Sequence, residues 1–108
     1  MLNADGILGQ VAPAATTLTT VYTVPLGRKA TIRVIVTNRS GVDTFRVALS
    51  PLGASIANAH YIAFGMSIPA NDSLSSAPFE LGPTDVVRVY STNGSISFTV
   101  SGLEEDVS

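Results

Sequence analysis

The chain has 108 residues, a formal net charge of −2 and no cysteine. One domain with a modest core is the expectation, and disulfides, thiolate metal centres and cysteine nucleophiles are excluded. Charged residues make up 13%, about half of the ~25% of an ordinary soluble domain; stable interface cores are depleted in charge, so the shortfall suggests a surface meant to be covered by protein.

The few charges are unevenly placed. Glu104, Glu105 and Asp106 sit together and read as an acidic tail over residues 104–108, while five of the six basic residues fall between Arg28 and Arg46. No long Lys/Arg run exists and none is interleaved with aromatics, so nucleic acid is not an expected partner. No apolar run approaches the ~18 residues of a membrane helix, and the opening MLNADGILGQVAPAATT lacks the basic start and apolar centre of a signal peptide. A soluble protein made in a cytoplasm, with no membrane partner, is expected.

In chain order, residues 1–15 show no clear period. Gly6, Gly9, Pro13 and several alanines suggest an extended arm. Ile7, Leu8 and Val11 are costly to leave in water and are candidates for docking on a neighbouring subunit. A sandwich domain is expected from 16 to 103. Thr19–Val24 is rich in β-branched and aromatic residues and reads as a strand; Pro25-Leu26-Gly27 has turn chemistry. Ala30, Ile32, Val34 and Val36 then alternate with Thr31, Arg33, Ile35 and Thr37, the period-two signature of a strand with one buried face.

Asn38–Asp43 is a second reversal, leading to a strand over Thr44–Leu49. Pro51 and Gly53 open a longer loop through Asn58. HYIAFGMSIP reads as a strand with His60, Ile62 and Phe64 on one side and Tyr61, Ala63 and Gly65 on the other. In Ser73–Leu81, Pro78 bars a central position, so an edge strand or bulge is expected. Val86–Thr92 and Ser95–Ser101 read as a hairpin joined by Asn93-Gly94, the pair favoured in two-residue turns. About seven or eight short strands separated by regular turn signals, with no helical stretch, predict an all-β sandwich, jelly-roll-like, with an immunoglobulin-like sandwich as the alternative.

Little in the sequence points to chemistry. His60 is the one histidine, and no serine sits in a Gly-x-Ser-x-Gly elbow. Asp43, Asp72, Glu80 and Asp85 all lie at or beside turns, where Asp commonly bonds nearby backbone. Asn71-Asp72 and Asp85 lack the spacing of calcium loops, and Gly27-Arg28-Lys29 lacks the upstream glycine and downstream hydroxyl of a phosphate loop. No catalytic, metal or cofactor site, and no enzyme activity, is expected. Arg33, Arg46 and Arg88 each fall mid-strand, opposite the apolar face, where a guanidinium can form bidentate pairs with a partner's carboxylates.

Three stretches, TTLTTVYTVPLGRKATIRVIVTN, YIAFGMSIPANDSL and LGPTDVVRVYSTNGSISFTVSG, together resemble a group of roughly hundred-residue β-domains among the virion proteins of tailed bacteriophages. The resemblance spans Thr16 to Leu103, and this chain departs from it at His60, Ala63 and Gly65, where bulkier residues are usual. It implies a structural role in the particle, after synthesis in the host bacterial cytoplasm. One form is a capsid cement or decoration protein, usually a homotrimer, clamping neighbouring major-capsid-protein subunits. The other is a tail, baseplate or fibre component with a receptor- or glycan-binding role, for which Tyr61 and Tyr90 are the candidate exposed aromatics. The 50–59 loop joins the N-terminal arm as an expected capsid contact.

Overall fold

The alternation in Arg28–Asn38 is realised as a single long strand. Ala30, Ile32, Val34, Val36 and Asn38 point inward, and the intervening Thr31, Arg33 and Thr37 are exposed. The computed structural model describes residues 4–107. In chain order the strands are β1 (Ala4–Val11), β2 (Thr19–Thr23), β3 (Arg28–Asn38), β4 (Asp43–Ser50), β5 (Tyr61–Ile68), β6 (Ser73–Ser75), β7 (Phe79–Leu81), β8 (Val86–Ser91) and β9 (Ile96–Asp106). Two single 3-10 turns, Pro51–Gly53 and Asn58–His60, lie between β4 and β5. Among the described residues no helix is long and apolar enough to cross a membrane.

The strands form two antiparallel sheets. One has the order β1-β9-β3-β6, with β7 also on β3; the other has the order β2-β8-β4-β5. The pairings β1 with β9, β2 with β8, β3 with β6 and β7, and β4 with β5 are those of one long antiparallel ribbon folded back on itself. Rolling that ribbon up adds the contacts of β9 with β3 and β8 with β4. The result is a β-sandwich with jelly-roll strand order, rather than the immunoglobulin-like alternative.

The core lies between the sheets. Ile32, Val34, Phe98 and Val100 from one face Val47, Val87 and Val89 from the other, all at most 3% exposed. Phe45 and Phe98 meet edge to face across the layer, with centroids 6.2 Å apart, the favoured arrangement for an aromatic pair.

Three sequence-based expectations are corrected. First, residues 4–11 are a strand of the sheet and not a free arm: β1 pairs with β9, and Leu8 and Val11 pack on the chain's own core. A bulge between Ile7 and Gly9 breaks the period-two pattern that would have revealed it. Second, β8 and β9 do not pair with each other. Both carry an apolar face, and placing them in opposite sheets lets Val87 and Val89 pack towards Ile96, Phe98 and Val100. Third, the acidic tail is the end of β9, where Arg28 lies across from Asp106 and Lys29 from Glu105.

The two lateral sides of the sandwich differ. On one, β1 approaches β2 so closely that a Cβ at Gly9 would overlap the Val21 carbonyl, and that side is closed. On the other, β5 faces the two short strands β6 and β7, and the core is reached from outside.

Candidate functional site, an open sheet edge beside an aromatic and arginine face

The open side follows from the sequence of the β6–β7 segment. Pro78 cannot donate to a ladder, and the strand breaks at Ser76–Pro78 into two pieces of three residues. The backbone of β3 is nevertheless satisfied there: Ser76 Oγ accepts the Val34 N–H at 2.9 Å, and the Ser76 N–H donates to the Val34 carbonyl at 2.9 Å. A hydroxyl thus replaces the missing rung, but it supplies no apolar side chain to cover the core.

The result is an apolar cleft of about 340 Å³ between the sheets. Val34, Val36, Phe45 and Val47 form its floor, and Ile62, Met66 and Leu74 stand at its mouth. Ile62, Met66 and Leu74 are 45%, 49% and 38% exposed, and neighbouring Phe64 is 59% exposed. Full burial of such a side chain contributes about 1.5–3 kcal/mol, so each half-exposed residue leaves roughly 1 kcal/mol unrealised. β5 itself, YIAFGMSI, contains no charge and no proline, the usual guards of a free edge strand. Its only interruptions are two register shifts, with Gly65 in the left-handed region at φ 67°.

Those shifts also overturn the expected sidedness of β5. Ile62 and Phe64 do not share a face. Ala63 packs on the core, whereas Phe64 lies opposite Arg46 on the outer surface. Phe64 and Tyr61 contact each other edge to face, with centroids 4.9 Å apart. Arg46 lies between Phe64 and Tyr90, its guanidinium carbon 4.1 Å from one ring centroid and 4.4 Å from the other. The expected aromatics Tyr61 and Tyr90 are therefore on one face, joined through the candidate contact Arg46 and through Phe64, whose outward placement the sequence pattern hides.

The other candidates are dispersed. Ile7 is 64% exposed on β1, on the edge of the first sheet away from the open side. Arg33 is exposed on the outer face of that same sheet. Arg88 shares the outer face with Arg46 but is engaged: its Nη1 donates to Ser50 Oγ at 3.2 Å and to the Ala54 carbonyl at 3.0 Å, tying down the 51–57 loop. The loop itself is exposed, with Leu52 at 77%. The three arginines do not make one surface.

His60 closes a turn. Its Nδ1 accepts the Ala57 N–H at 3.2 Å and lies 3.4 Å from Ser50 Oγ. Among the described residues no group of three or more His, Cys, Asp or Glu side chains is placed to hold a metal ion.

Two buried polar groups secure the ends of the sandwich. At one end, Asp43, 2% exposed, accepts five hydrogen bonds. Burial alone would raise its pKa, but the bonds from Ser91, Asn93, Ser95 and Thr44 outweigh it and hold the carboxyl below its ordinary value. At the other end, the Tyr22 hydroxyl donates to Glu104, and Arg28 Nη1 reaches the second oxygen of Glu104 at 2.8 Å. Burial, followed by the hydrogen bond to Glu104 and its negative charge, pushes the Tyr22 phenol well above its ordinary value.

No protein family model, curated protein or solved structure matches the chain.

Proposed function

We propose that the chain is a non-enzymatic structural protein of a tailed-bacteriophage particle, a cement or decoration subunit that clamps neighbouring capsid subunits. The observation that carries this reading is the open apolar edge formed by β5 and the β6–β7 segment. An uncharged edge strand beside an uncovered cleft is a liability for a free monomer and an asset for a subunit that is covered on assembly. The low overall charge and the resemblance of Thr16–Leu103 to phage virion domains support the same reading. In this reading the docking surface is the β5/β6 edge and not the N-terminal segment, which is committed to its own sheet. Apolar burial supplies the affinity, and a homotrimer around the capsid junction is the assembly the resemblance implies.

The test is light scattering of the purified protein, followed by co-sedimentation with empty shells of the major capsid protein from the same genome. Saturable binding to shells, lost in the Ile62→Lys/Met66→Lys variant, is the expected result. A folded monomer that leaves such shells bare overturns the reading.

A further inference from the structure

The outer face of the β2-β8-β4-β5 sheet carries a second feature, independent of the open edge. Arg46 on β4 is flanked by one aromatic ring from each neighbouring strand, Phe64 on β5 and Tyr90 on β8. Rings on either side strip water from the faces of the cation, while the guanidinium N–H donors lie in its plane, at the edge that the ring faces leave uncovered. Among the described residues nothing accepts a hydrogen bond from Arg46 and no carboxylate pairs with it; the ion pairs there are all made by Arg28. The four strands of this sheet contain two arginines and one carboxylate. That carboxylate, Asp43, is buried under the Asn93–Gly94 turn, and Arg88 is held by Ser50 and Ala54. The face therefore presents one unpaired, pre-positioned cation and no acid to neutralise it.

The surroundings narrow the ligand. A guanidinium edge pairs bidentately with a planar carboxylate, and the four strands of this sheet offer no second free cation for a doubly charged phosphate or sulfate, Arg88 being engaged. Immediately beside Phe64 is a shallow hollow of about 320 Å³ lined by Asn58, Tyr61 and Phe64. Aromatic surface suits the C–H face of a sugar ring, and the Asn58 side-chain amide, which makes no hydrogen bond of its own among the described residues, can serve its hydroxyls. We propose that Arg46, Phe64 and Tyr90, with the Asn58–Tyr61 hollow, form a binding site for a carboxylated sugar unit, such as a uronic acid within an acidic surface polysaccharide. Arg46 takes the carboxylate as a bidentate pair, and Tyr61 and Asn58 take the ring. The site shares no face with the cleft, and it stands or falls separately from the capsid reading.

The experiment is an NMR titration of the full chain with a galacturonate trisaccharide, following the Arg46 side-chain Nε–H and the amides of Asn58, Tyr61 and Phe64. Parallel arms use the methyl-ester form of the trisaccharide, acetate, and a hexaglutamate peptide. Saturable shifts at these groups are expected, weakened at least tenfold by esterification or by Arg46→Lys, which keeps the charge and loses the planar fork. Tyr61→Ala, on the surface, is expected to weaken the trisaccharide at least fivefold while leaving acetate unchanged; dispersed spectra of both variants establish that they fold. Absence of saturable shifts, or equal binding of the ester, overturns the site. Equal or tighter binding of hexaglutamate overturns its assignment to a sugar and makes Arg46 a clamp for protein carboxylates.

Discussion

Asp43 accepts hydrogen bonds from both the hydroxyl and the backbone N–H of Ser95, at 2.9 and 3.3 Å, across 52 residues of sequence. The same carboxylate holds Ser91 Oγ and the Asn93 N–H, so one side chain at the start of β4 fixes both ends of the Asn93–Gly94 corner. That corner carries the chain from one sheet to the other. Removing the carboxylate leaves the buried Ser91 hydroxyl and the part-buried N–H groups of Thr44, Asn93 and Ser95 without this acceptor, and a buried donor left unpaired costs about 1–3 kcal/mol. Asp43→Ala is expected to lose at least ~3 kcal/mol in urea unfolding, a large part of the ~5–15 kcal/mol that holds a typical domain folded.

The same group sets an acid limb of stability. Because its pKa is lower folded than unfolded, its contribution is fully present above the unfolded value of ~3.9 and is lost as pH falls through the folded one. The Asp43→Asn variant is expected to be less stable at neutral pH and to show a flatter decline below pH ~4. Unfolding midpoints measured from pH 2 to 7 check this; parallel wild-type and variant curves would refute it.

At the opposite end, Tyr22 produces an alkaline limb. Its phenol pKa is raised in the fold, so its contribution is complete below the unfolded value of ~10 and is lost as pH rises towards the folded one. Tyr22→Phe is expected to cost about 1–2 kcal/mol at pH 7 and to flatten the fall in stability above pH ~10. Arg28→Ala, which removes the partner of both Glu104 and Asp106, is expected to destabilise at pH 7 by about 1–3 kcal/mol without changing that alkaline slope in the same way.

Gly102 lies in β9 between Gly6 of β1 and Ile32 of β3. A Cβ there would overlap the Thr31 carbonyl, whereas one at Gly41 meets nothing within 4 Å. Gly102→Ala is expected to prevent folding or to lower stability by more than ~3 kcal/mol, because the obstacle is backbone and cannot rotate away. Gly41→Ala is expected to stay within about 1 kcal/mol of the parent. Thermal melts of the two variants side by side make the comparison.

What the sequence reveals and what it hides can be traced to particular residues. Strict alternation in β3 and β9 exposes their inner faces directly. The sandwich and its core residues Ile32, Val34, Phe98 and Val100 are legible for that reason. Strand partners are not legible: Asn93-Gly94 has the chemistry of a hairpin turn, and only the distant Asp43 shows that it is a corner between sheets. β1 is hidden by Gly6, Gly9 and the bulge between them, and the buried Glu104 by two acidic neighbours that make it resemble a solvated tail. Of the proposed contact residues, Ile7, Arg33 and Arg46 reach the surface, whereas Leu8 and Val11 pack on the core and Arg88 is tied to Ser50 and Ala54. Of the two rings beside Arg46, Tyr90 is legible, whereas Phe64 is obscured because two register shifts in β5 part it from the face of Ile62, against the period-two expectation.

β9 lies in the interior of its sheet, with β1 on one side and β3 on the other, and pairs with β3 over eleven residues from Arg28–Asp106 to Asn38–Ile96. During synthesis, β1 and β3 therefore wait with unsatisfied edges until translation has passed residue 106. Ribosome-bound nascent chains should remain open to proteases and chaperones until then, after which the sheet can zip shut in one late event. Contacts so far apart in sequence also make refolding slow for a protein this small.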